Sequence, residues 1–251
     1  MASHLTPALS RAGYDAEMVG SRDIRILPAA DLYVVAVRDD ALESVIGRMR
    51  QLTTSPIVHT AGSKPASLAD GVLYPMQTFS KARPVDFSTV HFFIEAASPA
   101  LLALLREVSE RIVASSERLP LQRDESEAVA NRVHESNVEA VSGHVHELDS
   151  EGRKRLHLAA VFACNFANHC CTLAEEVLRP LGLPFEVMLP LLDETVAKLH
   201  HLSPHEAQTG PAIRHDESVM ATHRDLLASQ PQLQALYDLL STSIQNIGSQ
   251  L

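Results

Sequence analysis

Cysteine is scarce in this chain of 251 residues: there are three cysteines, and two of them are the neighbours Cys170 and Cys171. Such a set cannot form the disulfide framework of a small secreted protein, and it is typical of a protein from a reducing compartment. Residues 1–7 also lack the charged and apolar regions of a signal peptide. We therefore expect a cytoplasmic protein.

Basic runs and long apolar runs are absent as well. Lys and Arg number 21 against 31 Asp and Glu, which gives a formal net charge of −10. An acidic chain without basic runs is a poor candidate for binding nucleic acid or an anionic membrane. No continuous apolar run approaches the roughly 18 residues that a membrane-spanning helix needs. These absences predict that neither a nucleic acid nor a membrane is a partner.

Several sequence motifs of well-known sites are also missing. The chain has no Gly-x-Ser-x-Gly elbow, no Walker loop and no Gly-x-Gly-x-x-Gly loop. His144 and His146 would share one face of a strand, but no spacing of His, Cys or carboxylates matches a standard metal site. We therefore predict no metal centre.

The first half of the chain alternates strands and helices. Hydrophobic residues make up 45% and charged residues 21%, which is an ordinary globular composition. A first helix ending at Gly13 is followed by a predicted strand at 14–19. Apolar runs and helical spacing then predict strands at 32–37, 56–60 and 90–94 and helices at 41–49 and 99–113. This alternation indicates an α/β layer with parallel strands.

The character of the sequence changes in the second half. Residues 115–142 are polar and are interpreted as an inserted, mostly solvated helix, and 144–148 is predicted to be one more strand. After Asp149 only helices are predicted, at 150–178, 184–199, 212–229 and 232–247. We therefore divide the chain into a domain of residues 1–148 and a helical domain of residues 149–251.

The first helix after Asp149 is apolar almost all round, which is typical of a buried helix. We expect Cys170 and Cys171 to be buried in it and inert. At roughly 100° per residue, its polar residues fall within about 80° of one another; they are Lys154, His157, Asn165, Asn168 and Thr172. This stripe either packs against buried backbone through water or lines a cleft. In a cleft, His157 is the candidate proton donor and Asn165 the candidate to hold a substrate oxygen.

Two loops have the composition of ligand-binding segments. Residues 59–63, His-Thr-Ala-Gly-Ser, follow a predicted strand, and open α/β sheets bind ligands at the carboxyl ends of strands. Thr209-Gly210-Pro211 is predicted to open a helix, whose first N–H groups attract anions, and Arg214 lies one turn on. An ordinary turn and an ordinary start of a helix remain open as alternatives for these two segments.

Five segments of the chain together resemble one bacterial family; they are 30–41, 59–63, 74–79, 154–165 and 209–212. The family consists of Rossmann-like proteins with the domain of unknown function 2520, and it is similar to ketopantoate reductase, pyrroline-carboxylate reductase and hydroxyacid dehydrogenases. The resemblance implies an α/β Rossmann-like NAD(P)-binding domain. An all-α, 6-phosphogluconate-dehydrogenase-like C-terminal domain would follow it and shape the substrate cleft and a dimer interface.

The resemblance also implies a function and a set of site residues. It implies an NADP-dependent oxidoreductase that acts on a small oxo- or imino-acid and forms a homodimer. The implied cofactor-binding residues are Ser21, Arg22, Val37, Arg38, Asp39, His59 and Thr60. For this function the polar stripe supplies the candidate catalytic residues, which are His157, Asn165 and Lys154. The candidate substrate-binding residues for this function are Gly62, Gln77, Thr78, Asn168, Thr209, Gly210 and Arg214.

The chain departs from the family pattern at its beginning. The first strand and the Gly-rich loop of a Rossmann-like domain are missing, so we expect an incomplete domain that binds NADPH weakly or not at all. Arg22 suits the 2′-phosphate of NADP, because its planar guanidinium grips phosphate bidentately. The alternative function is a relative without catalysis that binds a small ligand or serves as a dimeric scaffold.

Overall fold

The computed structural model describes residues 1–22, 24–116 and 143–248. These residues form two compact units. The first consists of the described residues up to 116 together with 143–167, and the second of residues 168–248. Apart from its first two residues, the insertion predicted at 115–142 lies outside the described residues.

A five-stranded sheet with the order β1-β2-β3-β4-β5 forms the centre of the first unit. The strands are β1 (Tyr33–Val35), β2 (Ile57–His59), β3 (Gly71–Pro75), β4 (Phe92–Ala96) and β5 (Val145–Glu147). Strands β1, β2 and β3 run parallel, β4 runs antiparallel to β3, and β5 runs parallel to β4. The carboxyl ends of β1, β2 and β3 therefore lie at one edge, which we call the carboxyl edge.

Helices pack on both faces of this sheet; they are α1 (Ala2–Arg11), α2 (Leu42–Met49) and α3 (Pro99–Ser116). The apolar side chains of α1 and α3 form one core cluster with Val58, and those of α2 form a second cluster with Ile57. Successive side chains of a strand point to opposite faces, so the two clusters lie on opposite sides of β2. This layered arrangement confirms the predicted α/β Rossmann-like class.

Two strand predictions are wrong in the first unit. Residues 14–19 form no strand; β1 is the edge of the described sheet, and this segment does not pair with it. Gly71–Pro75 is a buried strand that was not predicted. It begins with glycine and ends with proline, which are both uncommon in strands, and it lacks the alternation of polar and apolar residues that indicates a half-buried strand. Its pairing with β4 is antiparallel, so the layer is not entirely parallel.

Helices alone follow β5 in the described residues up to 248, as predicted. They are α4 (Ser150–Ala160), a π-helical segment (Val161–Phe166) continuous with α5 (Ala167–Leu178), α6 (Leu189–Leu199), α7 (Glu217–Leu226) and α8 (Pro231–Gly248). Asp149 caps α4, and its carboxylate accepts a hydrogen bond from the Gly152 N–H at 2.7 Å. This cap explains why the helix begins where the sequence predicted.

The helix predicted at 212–229 begins later than expected. Residues 211–215 form turns, and His215 has a left-handed backbone with a φ of 53°. The carboxylate of Asp216 accepts the Val219 N–H at 3.3 Å and caps α7. The prediction that Thr209-Gly210-Pro211 opens a helix is therefore wrong, because the stronger capping residue lies further along the chain.

The helix after Asp149 was expected to be the most buried, and within the single chain it is not. Arg153 is the buried residue of α4, and the side chains of Phe162 and Phe166 are 63% and 50% exposed. These two rings pack edge to face with their centroids 5.0 Å apart. The expected burial of Cys170 is also wrong, since it is exposed, and Cys171 is half-buried. Exposed apolar surface of this kind is typical of an interaction site.

The same helix bears on the expectation that no part of the chain resembles a membrane span. Within the described residues, Ser150–Leu181 is one helix long and apolar enough to cross a bilayer by length and composition, with a mean hydropathy of 1.2 in its 18-residue window. Length and composition do not separate such a span from a helix covered by protein. The sequence-based expectation is therefore corrected for this helix.

We expect a second copy of the chain to cover this helix. Light scattering should then give about twice the monomer mass of 27.4 kDa. Changing Phe162→Asp and Phe166→Asp together should produce monomers, because the interface would have to bury unpaired charges.

The matched control is Leu52→Asp, which places the same charge on an exposed apolar residue outside this helix. The control should leave the dimer intact. A wild-type protein that is monomeric at micromolar concentration, or that stays dispersed only in detergent, would contradict the homodimer.

Candidate functional site

The loops that leave β1, β2 and β3 meet at the carboxyl edge. Val35 lies beside His59 in the register of β1 and β2, and the Ser63 hydroxyl donates a hydrogen bond to the Asp39 carboxylate. Gln77 follows β3 at the same edge, and its side-chain oxygen accepts the Thr78 N–H at 2.8 Å. Open α/β sheets bind ligands at such an edge. Seven predicted residues therefore follow the strand ends at this edge; they are Val37, Arg38, Asp39, Thr60, Gly62, Gln77 and Thr78.

His59 is fully buried, and both of its ring nitrogens are used inside the loop. Its Nδ1 accepts the Ala61 N–H at 3.2 Å, so its Nε2–H donates to the Pro65 carbonyl at 3.1 Å. Burial lowers the pKa of His59, and the neutral ring is the form that this bonding pattern requires. The side chain thus shapes the loop at 60–65, and its contact with a cofactor stays a prediction.

His157 reaches the carboxyl edge from α4. Its Nδ1 lies 3.3 Å from the Tyr74 hydroxyl, and the two rings meet edge to face with centroids 6.2 Å apart. A Cβ at Gly62 would come within 2.8 Å of this Nδ1 and 2.9 Å of the Tyr74 ring. The absence of a side chain at Gly62 therefore allows the two rings to meet against the loop.

Arg153 fixes α4 on the sheet one helical turn before His157. Its side chain is 0% exposed, pairs with the Glu95 carboxylate and donates to the Lys64 carbonyl at 2.6 Å. Ser150 joins the same contact, since its hydroxyl donates to Glu95 at 2.9 Å and accepts the Ala66 N–H at 3.0 Å. The helix is thereby tied both to β4 and to the loop that follows β2.

Sequence reasoning missed Arg153, Glu95 and Tyr74. An arginine four residues before His157 shares its helix face, and this spacing was the available signal for Arg153. Tyr74 lies in the strand that the sequence did not reveal. Its meeting with His157 could therefore not be predicted.

A π-helical segment interrupts the helix along which the polar stripe was predicted. Lys154 is exposed and pairs with Glu151 at 2.7 Å. The π-helical segment at Val161–Phe166 takes more residues per turn than an α-helix. The side chains beyond it are therefore rotated away from the 100° spacing that the prediction assumed. Asn165 is exposed, and its contact with a substrate stays a prediction.

The predicted substrate residues of the second unit lie in exposed or turn positions. Asn168, Thr209 and Arg214 are exposed. Gly210 has a φ of 108°, which favours glycine at this turn. The Gln208 side chain donates to the Thr209 carbonyl at 2.9 Å. Their contact with a substrate also stays a prediction.

Ser21 and Arg22 lie beside α2. The Arg48 guanidinium donates to the Ser21 carbonyl at 2.9 Å and to the Arg22 carbonyl at 3.1 Å. Its Nε is buried and has no hydrogen-bond partner among the described residues. Arg22 of the turn and Arg48 of α2 thus belong to one local arrangement, and guanidinium groups are well suited to phosphate.

Three histidines meet where β4 and β5 begin. His91 Nδ1 lies 2.9 Å from His146 Nε2, and the rings of His91 and His144 are 4.9 Å apart. Within the described ranges, no group of three or more His, Cys, Asp and Glu side chains is arranged to hold a metal ion. Burial first, and then the charges of His144 and His146, lower the pKa of His91. Burial first, and then the charges of His144 and Arg106, lower the pKa of His146.

Comparison with known proteins identifies relatives of the chain. Residues 124–244 match the family described as Domain of unknown function (DUF2520). The candidate NADP oxidoreductase BF3122 from Bacteroides fragilis is 39% identical, with 97% of this chain and 93% of that chain covered and a TM-score of 0.80. Protein TM1727 from Thermotoga maritima is 18% identical over 89% of this chain and 81% of that chain, with a TM-score of 0.68, and shares the fold. No curated protein matches the sequence.

The buried ion pair generates a stability prediction. Glu95→Gln should lower the free energy of unfolding by about 3 kcal/mol, because it leaves the buried Arg153 charge uncompensated. The matched control is Asp40→Asn, which breaks the exposed pair with Arg38 and should cost less than about 1 kcal/mol. Chemical denaturation measures both, and equal small losses would contradict the anchoring role of Arg153.

The histidines generate a prediction on pH. His59, His91 and His146 have lowered pKa values in the folded protein. As the pH falls, these histidines therefore bind protons first in the unfolded chain, near their ordinary pKa of about 6.5. Their contribution to stability is therefore complete above about pH 6.5 and is lost as the pH falls below it. Thermal unfolding across this range should show the decline.

His146→Phe should flatten this decline, because phenylalanine keeps the stacking on Phe93, 5.1 Å between centroids, and removes the titrating group. An unchanged slope in this variant would remove His146 from the explanation.

Proposed function

Because the chain belongs to the family of Rossmann-like proteins with the DUF2520 domain, we propose that it is an NADP-dependent oxidoreductase of a small oxo- or imino-acid. The observation that carries the proposal is His157 held against Gly62 and Tyr74 at the carboxyl edge of the sheet. Reduction of a C=O or C=N bond needs a proton as well as a hydride, and histidine supplies protons near neutral pH. A cytoplasmic location without a nucleic-acid or membrane partner belongs to the same proposal.

The residues present fit two parts of the cofactor. Segments 37–39 and 60–63 offer backbone and hydroxyl groups where open α/β sheets bind their ligands. The turn at Ser21 and Arg22 with Arg48, whose buried Nε has no partner among the described residues, would hold a 2′-phosphate. The sequence contains no Gly-x-Gly-x-x-Gly loop, which is the part that would cradle the diphosphate.

The cofactor, when bound, supplies or takes up the hydride. His157 gives its proton to the substrate oxygen or nitrogen, and Gly62 leaves the space in which its ring lies. Gln77 and Thr78 contact the substrate from the end of β3. Lys154 and Asn165 orient it from the helix that carries His157.

One observation favours a second candidate function. The lack of a diphosphate loop in these 251 residues is what a relative without catalysis would show. Such a protein would bind a small ligand at the carboxyl edge or serve as a dimeric scaffold. NADPH binding separates the two candidates.

Titration calorimetry tests the proposal. A chain extended before Met1 by a strand and a Gly-x-Gly-x-x-Gly loop should bind NADPH more tightly than the 251-residue chain does, and more tightly than it binds NADH. Arg22→Ala in the extended chain should remove the preference for NADPH, because the guanidinium no longer meets the 2′-phosphate.

Arg11→Ala, an exposed arginine at the end of α1, is the matched control and should keep the preference. An extended chain that binds neither dinucleotide favours the second candidate. Micromolar NADPH binding by the 251-residue chain would show that the loop is dispensable.

A further inference from the structure

Tyr74 has little freedom to move within the first unit. Its side chain is 7% exposed, and β3 is paired on one side with β2 and on the other with β4. Its ring also lies 6.4 Å from the ring of Phe93. A buried tyrosine hydroxyl needs a hydrogen-bond partner, and the partner here is Nδ1 of His157.

His157 is held from the other sides as well. The backbone of Gly62 lies against its Nδ1, so that even a methyl group there would come within 2.8 Å. Four residues earlier, Arg153 anchors the helix to Glu95 and to the Lys64 carbonyl. The ring therefore presents its Nδ1 to the protein, and its Nε2 is the nitrogen left for a ligand.

The phenol of Tyr74 can hydrogen-bond to the imidazole of His157 in both the charged and the neutral form of the ring. Burial raises the pKa of Tyr74, so the hydroxyl keeps its proton at neutral pH. The hydroxyl oxygen accepts from Nδ1–H when His157 is charged, and its O–H donates to Nδ1 when Nε2 carries the one proton. A carboxylate in the same place would accept only, and it would hold the ring in its charged form.

We infer that Tyr74 is a positioning residue, whose hydroxyl occupies Nδ1 of His157 so that Nε2 exchanges the proton with the substrate. The inference rests on the proposed function, since it names the nitrogen that serves the oxo- or imino-acid. As the substrate carbon receives its hydride, the Nε2–H bond breaks and an O–H or N–H bond forms on the substrate. The Nδ1–H stays donated to Tyr74, and solvent restores the proton on Nε2.

NMR titration of the full chain with labelled histidine tests the inference without a substrate. The His157 signals are assigned by their loss in His157→Gln. In Tyr74→Phe the ring is kept and the hydroxyl is lost, so the charged form of His157 has a buried N–H without a partner. Its titration midpoint should then move to lower pH by about one unit, since a hydrogen bond to a charged group is worth about that much.

Tyr33→Phe is the matched control, because it removes a tyrosine hydroxyl that donates to the Pro28 carbonyl elsewhere in the same unit. It should leave the His157 midpoint unchanged. Gly62→Ala is a second variant that displaces the His157 ring without altering either partner, and it should also lower the midpoint. If neither Tyr74→Phe nor Gly62→Ala moves the midpoint, the inference is overturned.

The result is separable from the test of the proposed function. A shifted midpoint in a protein that binds no dinucleotide supports the contact of Tyr74 with His157 and removes the oxidoreductase role. Tight NADPH binding with an unmoved midpoint supports the oxidoreductase role and removes Tyr74 from it. Where turnover of the reduction is measured, the high-pH limb of the kcat profile, on which the donor loses its proton, should shift with the NMR midpoint in Tyr74→Phe and stay unchanged in Tyr33→Phe.

Discussion

The geometry of the candidate site depends on the buried ion pair between Arg153 and Glu95. A guanidinium without solvent exposure is costly unless acceptors compensate it. Here the Glu95 carboxylate and the Lys64 carbonyl accept from the two terminal nitrogens of Arg153, while its buried Nε has no hydrogen-bond partner among the described residues. The pair joins a helix, a strand and a loop that are far apart in the sequence. Because α4 is rigid over one turn, the position of His157 against Gly62 follows from this contact.

Two histidines near the carboxyl edge differ in their hydrogen bonding, and the difference suits one to a structural role and the other to proton transfer. His59 uses both ring nitrogens inside its own loop and is fully buried. His157 uses one ring nitrogen, toward Tyr74, and is half-buried. A histidine with one nitrogen fixed and the other available is suited to moving a proton, whereas His59 is suited to shaping the loop.

The helix that begins at Ser150 combines two tasks along its length. Its first two turns hold Arg153 and His157 on the sheet, while the following π-helical segment exposes Phe162 and Phe166. Because the exposed apolar surface and His157 lie on the same helix, dimer formation through that surface would also affect the position of His157. The extra residue in the π-helical turn changes which side chains share a face, and π-helical turns are frequent at functional sites.

Local patterns in the sequence determined the class of fold and the order of most elements. Apolar runs, helical spacing and the Asp149 cap depend on neighbours in the chain, and they identified β1, β2, α2, α3 and the start of α4. The tertiary structure decided which segments pair with a neighbouring strand. The sequence therefore did not reveal β3, which pairs on both sides, and it wrongly predicted a strand at 14–19, which does not pair. It also decided the site, because Tyr74 and His157 are 83 residues apart and Glu95 and Arg153 are 58 apart. No local pattern records a contact between residues so distant, since it exists only once the sheet and the helix have packed together.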